Sequence, residues 1–442
     1  MLSRFLATFL LAAVGTTAQA AAIFPYHYDK KVLPNGLTVI LIPMDSPGLV
    51  AYYSIVRTGS RDEVVPGHSG FAHFFEHMMF RGTVKYPGPA YDRIVIAMGA
   101  EANAYTTDDY TAFHLNFAKE DLPRVMEIES DRFQNLHYEE PAFQTEAGAV
   151  YGEYRKGITQ PFILLNEKVQ ELAYDVHPYK HTTMGFEADI KSMPQAYDFS
   201  RGFFRRFYRP ENVVLLIAGD IDPPATLALA TKDYGPWKPG YQPSKIPAEP
   251  PQKAPRQGEV IYPGRTLPLL SISYKAGAFD PDNRLYVAAD LLAELAFGSN
   301  SQLYNKLVLD QQKVQALGAE APMNRDPSLF GVVAMVKKES DLDHVRQEID
   351  RTIDEFQTKP VQQEKLDQLK RRNKYAFLMS LDTPDHVAGG LARFVALSGG
   401  IEIVDRYYAA LDRVTPEDIR EAARTYLVPK RRTVVVLKGA RS

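Results

Sequence analysis

At 442 residues the chain is too long for one ordinary core, so two or more domains are expected. Its 45% hydrophobic and 24% charged residues are those of a globular protein, and a net charge of -3 argues against nucleic acid as a general partner. The absence of cysteine excludes disulfides, thiolate metal sites and cysteine nucleophiles.

The chain opens with Met1-Leu2-Ser3-Arg4, an apolar run to Val14 and the small-residue stretch Ala18-Gln19-Ala20. This pattern predicts a signal peptide over residues 1–20 and an exported, periplasmic mature chain that starts near Ala21. The run is well short of the roughly 20 residues that span a bilayer, and no later segment has that length, so no transmembrane segment is expected in the mature chain.

Residues 33–43, "LPNGLTVILIP", read as a turn at Asn35-Gly36 entering a strand, and "AYYSIVRTGS" from Ala51 as a second strand. Helices are expected around residues 69–80, 90–98, 122–135 and 141–156. Between the second and third lies "GAEANAYTTDDYT", a Thr/Tyr-rich strand with a turn at Asp108-Asp109. "HPYKH" spaces His177 and His181 like ligands, but Pro178 makes the segment a loop, and both are read as surface or structural. His114, in "TAFHLNF", reads as a satisfied strand histidine. Seven prolines between residues 236 and 255 forbid regular structure and predict an extended linker over 238–258. That linker would divide an N-terminal domain, 21–237, from a C-terminal one, 259–442. In the latter, "KRRNK" from Lys370 reads as a solvated helical face.

The near-equal halves carry a repeat. Ser54-Ile55 precedes Ala72 by the 18 residues that separate Ser271-Ile272 from Ala289, which lays "AHFFEHMMF" over "ADLLAELAF". "YRPENVVLLIAGD" from Tyr208 likewise resembles "YLVPKRRTVVVLKGA" from Tyr426. The expected fold is therefore α+β, with two homologous halves, each an antiparallel-rich sheet with helices on one face. The apolar positions of the repeated helix agree, but His73, Glu76 and His77 become Asp290, Ala293 and Glu294. A merely structural helix would not need those three residues.

On a helix, residues four apart share a face, so His73 and His77 can aim ring nitrogens at one metal ion while Glu76 lies beside them. This is the inverted zinc-protease motif H-x-x-E-H. A catalytic zinc needs a third protein ligand. The helix "PAFQTEAGAVYGEYRKG" offers Glu146 and Glu153, seven residues apart on one face, and spacing does not choose between them.

"LPNGLTVIL", "GHSGFAHFFEHMMFRGT", "GAEANAYTTDDYT", "VMEIESDRF" and "FYRPENVVLLIAGDI", with Glu153 placed 76 residues beyond His77, resemble the pitrilysin/insulinase family of zinc peptidases in its mitochondrial-processing-peptidase-like bacterial branch. The resemblance implies one zinc per chain on His73, His77 and Glu153, with Glu76 as general base for a metal-activated water. It makes Glu146 a support for a ligand histidine. It also implies that the two halves face each other across a cleft, and that Asn103 and Ala104 bind substrate backbone, so that a peptide adds a strand to the sheet.

The expected function is zinc-dependent endopeptidase action on peptides or unfolded polypeptides, with a non-proteolytic scaffold subunit of the same fold as the alternative. One departure stands out. Family members draw an Arg/Tyr pair from the segment after "SRLY", whereas "SQLYNKLVLDQQKVQALGA" has Val308 and Gln315 near those positions. The expected assembly is a heterodimer with a zinc-less homologous subunit that supplies the pair, or a homodimer.

Overall fold

The structure is a computed structural model that describes residues 22–440; the predicted signal peptide lies outside them. The first half builds one sheet from β1 (Asp29–Val32), β2 (Thr38–Pro43), β3 (Leu49–Val56), β4 (Glu101–Thr106), β5 (Thr111–Ala118) and β6 (Val213–Gly219), in the order β1-β2-β6-β3-β5-β4. Its helices include α1 (Phe71–Met78), α2 (Gly88–Ala97), α3 (Leu122–Asn135), α4 (Glu140–Gly157) and α5 (Pro161–Ala173). The second half repeats the plan with β7 (Arg256–Tyr262), β8 (Leu269–Lys275), β9 (Val314–Glu320), β10 (Leu329–Val336) and β11 (Arg432–Gly439), in the order β7-β11-β8-β10-β9. In each sheet one pairing, β2 with β6 and β7 with β11, is parallel, and the others are antiparallel.

Strand composition follows position. Every residue of β6, "VVLLIAG", is buried, because the strand is central and covered on both faces. The opposite face of each sheet is covered by the other half. Leu165 and Val169 of α5 pack on Leu269, Val435 and Leu437 of the second sheet, while the helix Pro384–Ser398 lays Val387, Leu391 and Val395 over β3 and β6. At about 1.5–3 kcal/mol for each fully buried aliphatic side chain, this exchange of helices ties the halves together far more firmly than a linker does. A cleft of about 570 Å³ remains between them, bounded by Asp108 and Tyr179 on one side and Ser273, Asn324 and Arg393 on the other.

The exchange also corrects the register of the repeat. Ser54 shares with Tyr52 and Val56 the face that carries the first half's own helices. Ser271 instead shares the face of Leu269, beneath α5. An 18-residue spacing thus aligns the helices but leaves the strands one residue out of step, and with a side-chain period of two that single residue changes the face.

Among the described residues, 236–255 form neither helix nor strand, but β7 begins at Arg256, two residues before the predicted end of the linker. The segment is fastened rather than loose. Glu249 accepts backbone N–H bonds from Asp175, Val176 and His177 at 2.8–3.0 Å and pairs with Lys275 of β8. Burial opposes ionisation of Glu249, but Lys275 and the three amides outweigh it and hold the pKa down to about 2, below the ordinary 4.5. A carboxylate whose folded pKa is depressed stabilises the fold above its ordinary pKa and loses that effect as pH falls toward the folded value. Glu249→Gln is therefore expected to lower the unfolding temperature by a few degrees at pH 7, and the gap should close between pH 4.5 and 2. A pH-independent gap in calorimetry would show that charge is not what Glu249 contributes.

Of the two readings left open for His177 and His181, the structural one holds, and one residue of the face read as solvated, Lys370, is corrected. His177 and His181 are buried, as a 3-10 turn folds them under the first half: His177 Nε2 lies 3.0 Å from Asp326, and His181 Nδ1 2.9 Å from the Thr182 carbonyl. Lys370 is also buried, its ammonium donating to the carbonyls of Asp412 and Val414. Among the described residues no single helix is long and apolar enough to cross a membrane.

Candidate metal centre

The helix that carries the two histidines is oriented from its apolar side. Phe71, Phe74, Phe75 and Met78 are fully buried, with Phe75 stacked on Phe203 at 5.3 Å and Phe74 edge-on to Phe143 of α4 at 5.0 Å. Gly70 precedes the helix at φ +89°, and a Cβ there would meet the Met184 carbonyl at 2.5 Å, so glycine is required. Glycine has no capping side chain. Glu63 fills that role from outside the helix, accepting the N–H groups of Gly70 and Ala72 at 2.7 Å each.

α4 lies across α1 through Phe143, Ala147, Val150 and Tyr154, an apolar stripe at helical spacing. The crossing brings Glu153 Oε2 to 3.3 Å from His77 Nε2 and 3.9 Å from His73 Nε2. The three ligand atoms all lie within 4.8 Å of one another. Bonds of 2.0–2.2 Å to a tetrahedral zinc place ligand atoms about 3.4 Å apart, so these residues fit the ion. The donor set is two imidazoles and one carboxylate, the kind used where a fourth position stays open for substrate or water.

Glu146 is placed differently. It is buried, and its Oε1 accepts from His77 Nδ1 at 2.9 Å while Oε2 accepts from Arg81. A proton on Nδ1 leaves the Nε2 lone pair of His77 directed at Glu153, so the structure separates two glutamates that spacing left equivalent. The Glu146 hydrogen bond raises the pKa of His77. Burial, then the neighbouring His77, lowers that of His73 to about 4, which keeps its ring neutral and ready to ligate. His73 Nδ1 is buried with no hydrogen-bond partner among the described residues.

Glu76 lies on the same helix beside the histidines. Burial raises its pKa, partly offset by a hydrogen bond of 2.6 Å from the Thr106 hydroxyl at the end of β4. β4 is an edge strand. Thr107 N–H donates to the Tyr110 carbonyl at the turn, so alternate residues 105, 103 and 101 continue the ladder to β5, and the backbone of Ala102 and Ala104 faces the open edge. The Ala104 N–H is meanwhile closed off by the Asn103 side chain at 2.9 Å.

The second half keeps the helix pair without the metal set. Asp290 accepts from Tyr407, and Glu294, in the place of His77, pairs at 2.7 Å with Arg372 on the helix that follows in the order of α4. A salt bridge joins there the two elements whose counterparts converge on His77 and Glu153. Sequence reasoning missed Thr106, Arg81 and Glu63. Arg81 was in principle within reach, four residues beyond His77 on a continuing helix; Thr106 and Glu63 join α1 only through the fold.

A family model described as Insulinase (Peptidase family M16) matches residues 47–187, and one described as Peptidase M16 inactive domain matches residues 197–373. The chain is 27% identical over 441 residues to the zinc protease PqqE of Helicobacter pylori, covering 98% of this chain and 97% of the relative. It is 24% identical over 408 residues to the mitochondrial-processing peptidase subunit beta of Saccharomyces cerevisiae, covering 88% and 86%. Its fold matches the crystal structure of a protease from Helicobacter pylori with a TM-score of 0.87 at 26% identity, over 93% of this chain and 99% of that one.

Proposed function

Because the chain belongs to the insulinase family of metallopeptidases (peptidase family M16), we propose that it is a zinc-dependent endopeptidase acting on peptides or unfolded polypeptides. The observation that carries this reading is the convergence of His73, His77 and Glu153 beside a carboxylate, Glu76, that is tied to an edge strand. The chemistry a bound zinc supplies is polarisation of the scissile carbonyl and a lowered pKa for water.

The chain's own residues do the rest. Glu76, with one oxygen held by Thr106, takes the proton of the attacking water and returns it to the leaving amine. Glu146 and Arg81 hold the His77 ring so that Nε2 stays available. The outward backbone of Ala102 and Ala104 pairs with the substrate as an added strand, the Asn103 side chain giving up the Ala104 N–H as the substrate binds.

The alternative, a non-proteolytic subunit, finds support in the inactive-domain description, but that match covers residues 197–373 and none of the four metal-site residues. Export to the periplasm and pairing with a zinc-less homologous subunit belong to the proposal: Val308 packs toward the second half's core and Gln315 is exposed on β9, so neither brings a guanidinium or phenol to the site.

The test measures zinc in the purified chain and cleavage of an unstructured peptide before and after chelation. About one zinc per chain is expected, with activity lost on its removal and regained on adding it back. A chain that binds no zinc, or cleaves equally well without it, overturns the reading.

A further inference from the structure

The general base is held by a residue that the metal motif does not contain. Thr106 is the last residue of β4, and its hydroxyl donates to Glu76 Oε2 at 2.6 Å. Threonine is stiff at χ1, so the direction of that hydroxyl is set by where the backbone of β4 ends. Beyond Thr106 the chain enters the turn 107–110, closed by Thr107 N–H on the Tyr110 carbonyl at 2.8 Å and by the Thr107 hydroxyl, which accepts from the N–H groups of Asp109 and Tyr110.

This turn is held from outside its own hairpin. The first half contributes Ser60, whose hydroxyl donates to Asp108 at 3.2 Å, and Tyr179, whose hydroxyl donates to Asp109 at 2.7 Å. The second half contributes the loop between β9 and β10: Asn324 donates its side-chain amide to Asp108 at 3.2 Å, and Arg325 its backbone N–H to Asp109 at 2.9 Å. The Arg325 guanidinium adds bonds to the carbonyls of Asp109 and Ala396, and so links the turn to the helix Pro384–Ser398 that crosses behind β3. The segment 59–60 sits flush on the turn, since a Cβ at Gly59 would meet the Thr107 carbonyl at 2.3 Å. Asp108 and Asp109 therefore fasten the end of β4 to both halves of the chain.

We infer that Thr106 is a positioning residue for Glu76, and that the metal-less second half fixes Thr106 by gripping the turn that follows it. This rests on the peptidase reading of the site. It gives the second half a task in catalysis other than supplying groups to the substrate: it sets the distance between the base and the strand on which the substrate lies. A misplacement of about 1 Å in such a group costs on the order of 10²-fold in rate, so a hydroxyl that fixes one oxygen of the base has considerable leverage.

The experiment compares wild type, Thr106→Val, Thr106→Ser, Asp109→Ala and the double variant Thr106→Val/Asp109→Ala, each checked for folding, zinc content and peptide affinity of the zinc-free chain by calorimetry, with Glu76→Gln as the control. Thr106→Val is expected to lower kcat by about 10–100-fold with KM, zinc content and zinc-free peptide affinity unchanged, and Thr106→Ser to recover wild-type kcat within about threefold. Asp109→Ala should lower kcat about tenfold, and the double variant should lose no more than Thr106→Val alone, because both act along one route. Should Asp109→Ala fail to fold, Asn324→Ala takes its place in the same cycle.

Undiminished kcat in Thr106→Val, no recovery by serine, or a loss confined to KM or peptide affinity overturns the role of Thr106. Additive losses overturn the role of the second half. An inactive wild type overturns the peptidase reading itself, whereas an active wild type silenced by Glu76→Gln but insensitive to Thr106→Val overturns the inference and leaves that reading standing.

Discussion

Glu76→Gln is expected to lower kcat for peptide cleavage by roughly 10²–10⁴-fold while the chain still carries about one zinc. The two halves of this result have separate causes. Glutamine is close to glutamate in shape and can still accept the Thr106 hydroxyl through its carbonyl oxygen, so α1 and its two histidines stay in place. It cannot take a proton from water. Glu76 lies outside the group His73, His77 and Glu153, so its replacement removes no ligand atom. Steady-state kinetics with metal analysis on the same preparation checks both parts: wild-type kcat in the variant would remove Glu76 from the mechanism, and loss of zinc along with activity would make it part of the metal cage.

Arg132→Met is expected to destabilise the fold by about 3–5 kcal/mol, far more than the loss of a surface cation. Arg132 is 2% exposed and Glu129 fully buried beneath β5. The guanidinium donates to Glu129 Oε2 through Nε at 3.0 Å and Nη2 at 2.7 Å, while Tyr91 of α2 donates to the other oxygen at 2.8 Å. The rings of Phe80, Tyr91, Phe113 and Phe133 lie 5.0–5.7 Å from the guanidinium carbon, so the cation is surrounded by aromatic faces and edges as well as paired. Removing it leaves a carboxylate buried without its counter-charge, which costs more than the pair contributes. The double variant Glu129→Leu/Arg132→Met should regain much of the loss, because it removes both charges and fills the space with apolar volume. Denaturant unfolding of the single and double variants measures this; a change below about 1 kcal/mol in the single variant would show that water reaches the pair.

The two halves answer the same structural problem with different chemistry. In each, the helix after the β3-type strand must be joined to the second long helix of the layer above it. The first half brings imidazoles and a carboxylate together, and the second an exposed Glu294–Arg372 pair. Exposed ion pairs contribute about 0–1 kcal/mol, so the second half's helices are held mainly by apolar packing, and its pair shows that this junction can be made without a metal. The three polar residues on α1 are thus surplus to the needs of the fold.

Much of this was legible in the linear chain because its signals are local. Strand alternation, the i, i+4 spacing of His73 and His77, and the boundaries of a helix such as α3, expected at 122–135 and found at Leu122–Asn135, depend on neighbours a few residues away. Composition also identified a proline-rich division, although Glu249 and the early start of β7 showed that proline forbids regular structure without forbidding attachment.

The sequence by itself determined the two-fold plan, the paired histidines with a glutamate between them, and two acidic candidates on one helix face. Spacing left Glu153 and Glu146 equivalent and only the resemblance told them apart; the tertiary structure supplies the physical reason, because both glutamates share a helix face and the crossing of α4 over α1 brings Glu153 to both imidazoles and Glu146 to the far side of His77. It alone decided that Ser54 and Ser271 face opposite ways, since one residue inserted in a connection leaves no mark on composition. And it alone joined Glu76 to Thr106, and through the turn 107–110 to Asn324 and Arg325, because hydrogen bonds between residues 30 to 216 positions apart have no period by which a sequence could announce them.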